Sequence, residues 1–317
     1  MKRYKLFYNL IIILFFWNFF VNAQISVVQS ADKNNELIFL SDTQAPIWVE
    51  TVLLPPNRNT EATDSLYTDI LRQKPLSLFI LGDLTSAGAD LWLWEPIDKN
   101  IASLRKQHIP VYALMGNHEY MFIPSAGKKY FKSRFPKQSI TGYNIIVDSI
   151  AIIMLNSNFN NLSTEEFIRQ NTWYKKIMDS LEIDNKVKTI IVACHHAPFT
   201  NSKVVESSKD VQNFFVPKFI KNKKAKIFIT GHSHNLEHFK QLGKDFFVIG
   251  GGGGLKQPLY PENNRPWNDL ISNDKKPLYF YIKIIRDGNN INVFARGSKN
   301  TDFNNFFDLE LSKIKID

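Results

Sequence analysis

The residues of this sequence that could do chemistry fall in five short motifs. They are Asp42-Thr43-Gln44, Gly82-Asp83, Gly116-Asn117-His118-Glu119, His195-His196-Ala197-Pro198 and Gly231-His232-Ser233-His234. Imidazole is the commonest neutral metal ligand, and carboxylates and amides add oxygen donors. Cys194 is the single cysteine, so neither a thiolate zinc site nor a disulfide within the chain can be built. Oxygen and imidazole donors without sulfur suit Mn, Fe, Zn or similar ions. The donors are too many for one ion and fit two ions that share a bridging carboxylate. Two ions roughly 3.5–4 Å apart form a template for in-line displacement at phosphorus. They lower the pKa of a shared water, hold the phosphoryl oxygens and neutralise developing charge.

These motifs need elements that bring them to one place. Each directly follows an apolar run that reads as a buried strand: 36–41, 76–81, 110–115, 189–194 and Ala225–Thr230. Between the runs lie helical patterns. Leu66, Ile70 and Leu71 share a face in 60–72, a loop and helix lead through 101–107, and Ser163 with Glu166 forms a capping box. That box opens a helix to about Leu181, expected to bury Phe167, Trp173, Tyr174 and Ile177. Alternating strands and helices predict an α/β fold, in which sites form beyond the carboxyl ends of strands. Residues 143–147 and 150–155 read as a hairpin around Asp148-Ser149, and the tail pairs 278–285 with 291–294 across Asp287-Gly288. The basic, aromatic stretch 128–137 reads as a surface loop over something. Gly250 to Gly254 is either flexible or packed closely beside the metals. His108 and His238 have no motif around them and read as surface residues. Cys194 reads as a buried small hydrophobe.

The motif order Asp, Gly-Asp, Gly-Asn-His-Glu, His, Gly-His-x-His resembles the calcineurin-like metallophosphoesterase superfamily. That resemblance implies a four-layer α/β/β/α sandwich with the metals at loops on one edge. It implies that Asp42, Gln44, Asp83 and His234 surround a first metal. A second would take Asp83, Asn117, His232 and one histidine of the 195–196 pair. Position before a proline picks His196, which is preferred, and alignment of strand ends picks His195. Asp83 would bridge, and His118 would be the catalytic acid that stabilises or protonates the leaving group. Many members have a histidine where this chain has Gln44. An amide oxygen is a weaker, harder donor, so the first ion would be held less tightly or be a harder one, unless Gln44 stands behind the ligands. The stretch 231–236 with the glycine run looks most like the purple acid phosphatase branch. That branch has a tyrosine three residues after the bridging aspartate, where this chain has Ser86, so no iron–tyrosinate colour is expected. The resemblance implies two divalent or mixed-valence ions (Mn, Fe or Zn) and hydrolysis of a phosphate monoester by metal-bound hydroxide. A phosphodiesterase, or a non-catalytic binding protein of the same fold, is the alternative. Asn235 is a candidate substrate contact, with Asn158, Asn201 and Lys256 beside it.

The 317 residues are 44% hydrophobic, enough for one large core. The formal charge of +9 is spread without a dense basic block, so nucleic acid is not expected as a partner. The expected partner is a phosphorylated small molecule or phosphoester. Residues 1–23 have a basic start, an apolar run and the small-residue ending Val21-Asn22-Ala23, the layout of a secretory signal peptide. The sequence thus predicts a leader over 1–23 and one metallophosphoesterase domain over 24–317, secreted or periplasmic, with no membrane attachment after cleavage.

Overall fold

The computed structural model describes residues 24–26 and 34–316. The expected leader, 1–23, lies outside them. No helix among the described residues is long and apolar enough to cross a membrane.

Among the described residues thirteen strands form two sheets. The six-stranded sheet has the order β13-β12-β11-β2-β3-β4. It contains β2 (Asn34–Leu40), β3 (Pro75–Ile80), β4 (Val111–Ala113), β11 (Tyr279–Asp287), β12 (Asn290–Ser298) and β13 (Phe307–Lys315). Within it β2, β3 and β4 run parallel. The seven-stranded sheet has the order β1-β5-β6-β7-β8-β10-β9. Its strands are β1 (Gln24–Ser26), β5 (Tyr143–Val147), β6 (Ile150–Met154), β7 (Thr189–Ala193), β8 (Ala225–Thr230), β9 (Leu236–Gln241) and β10 (Lys244–Ile249). Here β6, β7, β8 and β10 are parallel neighbours.

The central strands read as unbroken apolar runs because both faces are covered. Successive side chains point to opposite faces. Leu37, Phe39, Phe79, Ile152, Ile191, Ile229 and Phe247 meet in the core between the sheets. The alternate residues Ile38, Leu40, Leu78 and Ile80 pack against helices α2 (Asn59–Gln73), α3 (Glu95–Lys106) and α4 (Pro124–Arg134). Ile153, Val192 and Phe228 pack instead against α5 (Thr164–Ile183), α6 (Lys209–Phe214) and α7 (Val216–Lys221). A short turn, α1 (Trp48–Thr51), buries none of its residues. Three apolar layers between four structural layers give the α/β/β/α sandwich.

Ser163 caps α5, and Glu166 reaches back to the Ser163 amide. That helix buries Gln170, Tyr174, Met178 and Leu181, whereas Phe167, Trp173 and Ile177 are only half-buried. The 143–154 hairpin forms as expected. The tail hairpin is longer than its apolar run and turns at Gly288-Asn289. Two expectations are corrected. Residues 128–134 belong to a helix, because Gly127 and Phe131 recur at helical spacing with Phe135 and bury against the sheet. His238 is buried, and its Nε2 lies 2.8 Å from Asp245 across the β9–β10 pair. Its isolation in sequence says nothing of this cross-strand partner.

Candidate metal centre

All five motifs meet where the carboxyl ends of the two sheets converge. The six-stranded sheet supplies Asp42 after β2, Asp83 after β3 and Asn117-His118 after β4. The seven-stranded sheet supplies His195-His196 after β7 and His232-x-His234 after β8. The loops are bonded to one another. The Asp42 amide donates to Gly82 O at 3.1 Å, that of Gly231 to His195 O at 2.9 Å, and that of Gly254 to Asp42 O at 2.9 Å. The glycine run is therefore buried scaffold. A Cβ on Gly254 would stand 2.5 Å from the His234 ring, and one on Gly116 would stand 2.1 Å from Asp83 Oδ1. Asp42, Asp83 and His232 themselves adopt left-handed φ of 61°, 50° and 68°. Such backbone costs roughly 1–2 kcal/mol per residue. It persists where the surroundings over-determine it, typically at sites.

Two groups of ligand-type atoms result, each with its atoms within 4.8 Å of one another: Asp42, Asp83 and His234, and His195, His196 and His232. Asp42 accepts the His232 amide at 3.1 Å and lies 3.4 Å from His234 Nε2. Asp83 Oδ2 lies 3.2 Å from His195 Nε2, and Asn117 Oδ1 lies 3.0 Å from the same nitrogen. His195 and His234 donate their Nδ1 protons to Leu81 O and Leu255 O at 2.9 and 2.7 Å. Those bonds turn both Nε2 atoms into the site, as metal-bound histidines are usually oriented. His196 differs: its Nδ1 lies 2.8 Å from Ser157 Oγ, a hydroxyl that can donate or accept. Gln44 Nε2 lies 3.3 Å from His234 Nε2, and its Oε1 is buried without a hydrogen-bond partner.

The charges are coupled across the seam. Burial alone would raise Asp42, but its hydrogen bond and charge pairing with His234 hold it below the usual carboxylate range. Burial opposes the charged form of His195, yet Asp83, Asp42 and the Leu81 carbonyl push it up to about 9. His196 is pushed down to about 3 by burial and by His195. His232 is likewise lowered by burial and by its two histidine neighbours. The aspartates thus favour positive charge on His195 and His234, as they would favour a cation between them. Buried opposed carboxylates, inward-facing imidazole nitrogens and the orphaned Gln44 oxygen all fit divalent ions.

His118 stands beside this set. Its Nδ1 donates to Ser86 O at 2.7 Å, and its Nε2 lies 3.8 Å from Glu50 and 3.9 Å from Asp83. Burial works against its cation, but Asp83, the Ser86 carbonyl, Glu50 and Glu119 outweigh it and raise its pKa. Glu119 was legible only as the end of a motif, and its role is structural. Its fully buried carboxylate accepts the amides of Gly116, Leu84, Asp83 and Thr85 at 2.6, 2.8, 3.0 and 3.2 Å. It fixes the turn that carries Asp83. Glu50 and Ser157 gave no sequence signal, since only tertiary packing brings them near His118 and His196.

The candidate substrate contacts separate into two kinds. Asn158 donates to Met115 O and Asn156 Oδ1, and Asn201 both donates to Trp267 O and accepts from Trp267 N. Both amides are engaged in holding loops. Asn235 donates to Gln257 O at 3.0 Å and, with Lys256, lines a groove next to the centre.

Comparison with known proteins follows the same pattern. The family model for calcineurin-like phosphoesterases matches residues 36–236, almost two-thirds of the chain. No curated protein sequence matches the chain. A purple acid phosphatase from yellow lupin (Lupinus luteus) seeds is similar in structure, with a TM-score of 0.61 and 17% identity over 87% of this chain. The match covers 53% of that protein, so this chain spans about half its length. An anchor protein of the Plasmodium inner membrane complex has a TM-score of 0.60 at 12% identity, covering 87% of this chain and 89% of that one. A dimetal phosphatase from Danio rerio has a TM-score of 0.54 at 12% identity, covering 87% and 99%. At these identities the likeness is one of fold.

Proposed function

The chain belongs to the calcineurin-like phosphoesterase family, and from that premise we propose that it hydrolyses a phosphate monoester at a two-metal centre. The observation that carries the reading is the pairing of two ligand groups across one seam, with His118 beside them. Asp42, Gln44, Asp83 and His234 would hold the first ion, and Asp83, Asn117, His195 and His232 the second. The fixed Nδ1 bond of His195 and its contacts to Asp83 and Asn117 support His195 over His196 as ligand. Bound divalent ions supply Lewis acidity and an activated water at neutral pH.

The chain's own residues do the rest. Asp83 is held by the amide of His118 and by the turn on Glu119, so its carboxylate is aimed before substrate arrives. His118, oriented by Ser86 O and flanked by Glu50 and Asp83, presents a protonated Nε2 to the leaving oxygen. The basic start and apolar run of 1–23 support a secreted or periplasmic location.

The test is hydrolysis of 4-nitrophenyl phosphate and bis(4-nitrophenyl) phosphate by the purified protein with Mn added, beside His118→Ala. Turnover of the monoester that collapses in the variant is expected. Preference for the diester would replace the monoesterase by a phosphodiesterase. Full metal binding with no turnover of either ester would overturn the hydrolase reading.

A further inference from the structure

One groove beside the centre is not used by anything described above. It has a volume of about 710 Å3, within the size range of ligand pockets. Its walls are attached to the metal centre. Leu255 O accepts the ring proton of His234, Gln257 Nε2 donates to His232 O at 3.3 Å, and Asn235 directly follows His234. Lys256, between Leu255 and Gln257, is therefore within one side-chain length of the site.

The charges of the groove are one-sided. Lys256, Arg265 and Lys276 line it, and no carboxylate does. The ion pairs of Arg265 and Lys276 go to the covered carboxylate of Asp269 behind the wall, at 3.8 and 2.5 Å. Lys256 is exposed and has neither an ion pair nor a hydrogen bond among the described residues. Three cations thus face one carboxylate that is already shared. The opposite wall, Leu53 to Pro55, is apolar, and Tyr260 presents an exposed ring. Surface lysines normally point into water, but this one lines a groove that the uncharged amides of Asn235, Gln257 and Asn273 also line.

We infer that this groove binds a second anionic group of the substrate, with Lys256 as its contact, so that the substrate class is an organic phosphate bearing a further carboxylate or phosphate. The inference rests on the phosphoesterase reading. It adds specificity to that reading: the centre takes one phosphoryl group while the groove holds a second anion and the carbon skeleton lies along Leu53 and Tyr260. Charge-assisted hydrogen bonds of this kind are about twice as strong as neutral ones.

The experiment compares three probes on the Mn-loaded protein: glycerol 3-phosphate, 3-phosphoglycerate and 1,3-propanediol bisphosphate. The first lacks the second anion, the second carries it as carboxylate and the third as phosphate. The expected result is a lower KM for one or both probes that carry the second anionic group. Lys256→Ala should raise that KM about tenfold more than the KM for glycerol 3-phosphate, as loss of one charged contact implies. Lys256→Arg should restore most of the difference, and the probe with the larger shift identifies carboxylate or phosphate. Equal KM values for all three probes in the unmodified protein, or an equal rise for all three in Lys256→Ala, would overturn the inference. If no probe is hydrolysed, the hydrolase reading fails separately. The groove is then judged by calorimetric binding of 3-phosphoglycerate and the bisphosphate: weakening in Lys256→Ala supports it, and no change for either overturns it.

Discussion

Asp42, Gln44, Asp83 and Asn117 reach the centre from the six-stranded sheet and carry only oxygen donors, whereas His195, His196, His232 and His234 reach it from the seven-stranded sheet and carry only imidazoles. The two sets are held differently. The oxygen side is fixed through backbone amides, above all by the four that converge on Glu119. On the imidazole side His195 and His234 are fixed through ring protons given to carbonyls, and one of these, Leu81 O, belongs to the opposite sheet. In the proposed centre each ion takes ligands from both sheets. The difference also makes the half-sites unequal. In the proposed centre the first would take two aspartates, an amide and one imidazole, and the second Asp83, Asn117, His195 and His232. Asp83 would be the group common to both.

The comparison can be broken most severely at Asp83. Asp83→Asn should abolish turnover and lower the metal content of both half-sites, read by phosphate release and metal analysis. Retention of one full site would show that the halves are independent. Next, His118→Ala should lower kcat by about 10²–10⁴-fold, the usual worth of a general acid, with metal content kept. A third contrast sharpens the histidine assignment. His195→Ala should lose the second ion in metal analysis, whereas His196→Ala should retain it and change mainly KM. Glu119→Gln should reduce metal affinity or activity about 10–100-fold, as removal of groups behind metal ligands does, measured by titration with Mn. The smallest effect is expected of Gln44→His, which should tighten the first half-site severalfold for Zn in a competition titration, because imidazole is the softer donor.

Much of this was legible in the chain because strands covered on both faces leave unbroken apolar runs, and each run here ends in a polar motif. Ala225–Thr230 leading into Gly231-His232 is the clearest case. What stayed hidden depends on contacts far apart in sequence. His238 looked isolated because Asp245 pairs with it only across two strands. Residues 128–134 looked like a basic loop because Lys128, Lys129 and Lys132 mask the Gly127, Phe131, Phe135 stripe. The strand Phe307–Lys315 has only partly buried apolar residues, Leu309 and Leu311, over most of its length, so its pattern is faint. Asn158 and Asn201 have the chemistry of substrate contacts, and only the structure shows their amides already engaged with Met115, Asn156 and Trp267.

The central claim is that two unequal half-sites act as one hydrolytic centre. The most direct measurement is a titration of the chelator-treated protein with Mn, following bound ions per chain and 4-nitrophenyl phosphate hydrolysis together. The account predicts two ions per chain in two steps of different affinity, with turnover rising only in the second step. Full turnover at one ion, or two ions bound with no turnover, would contradict it.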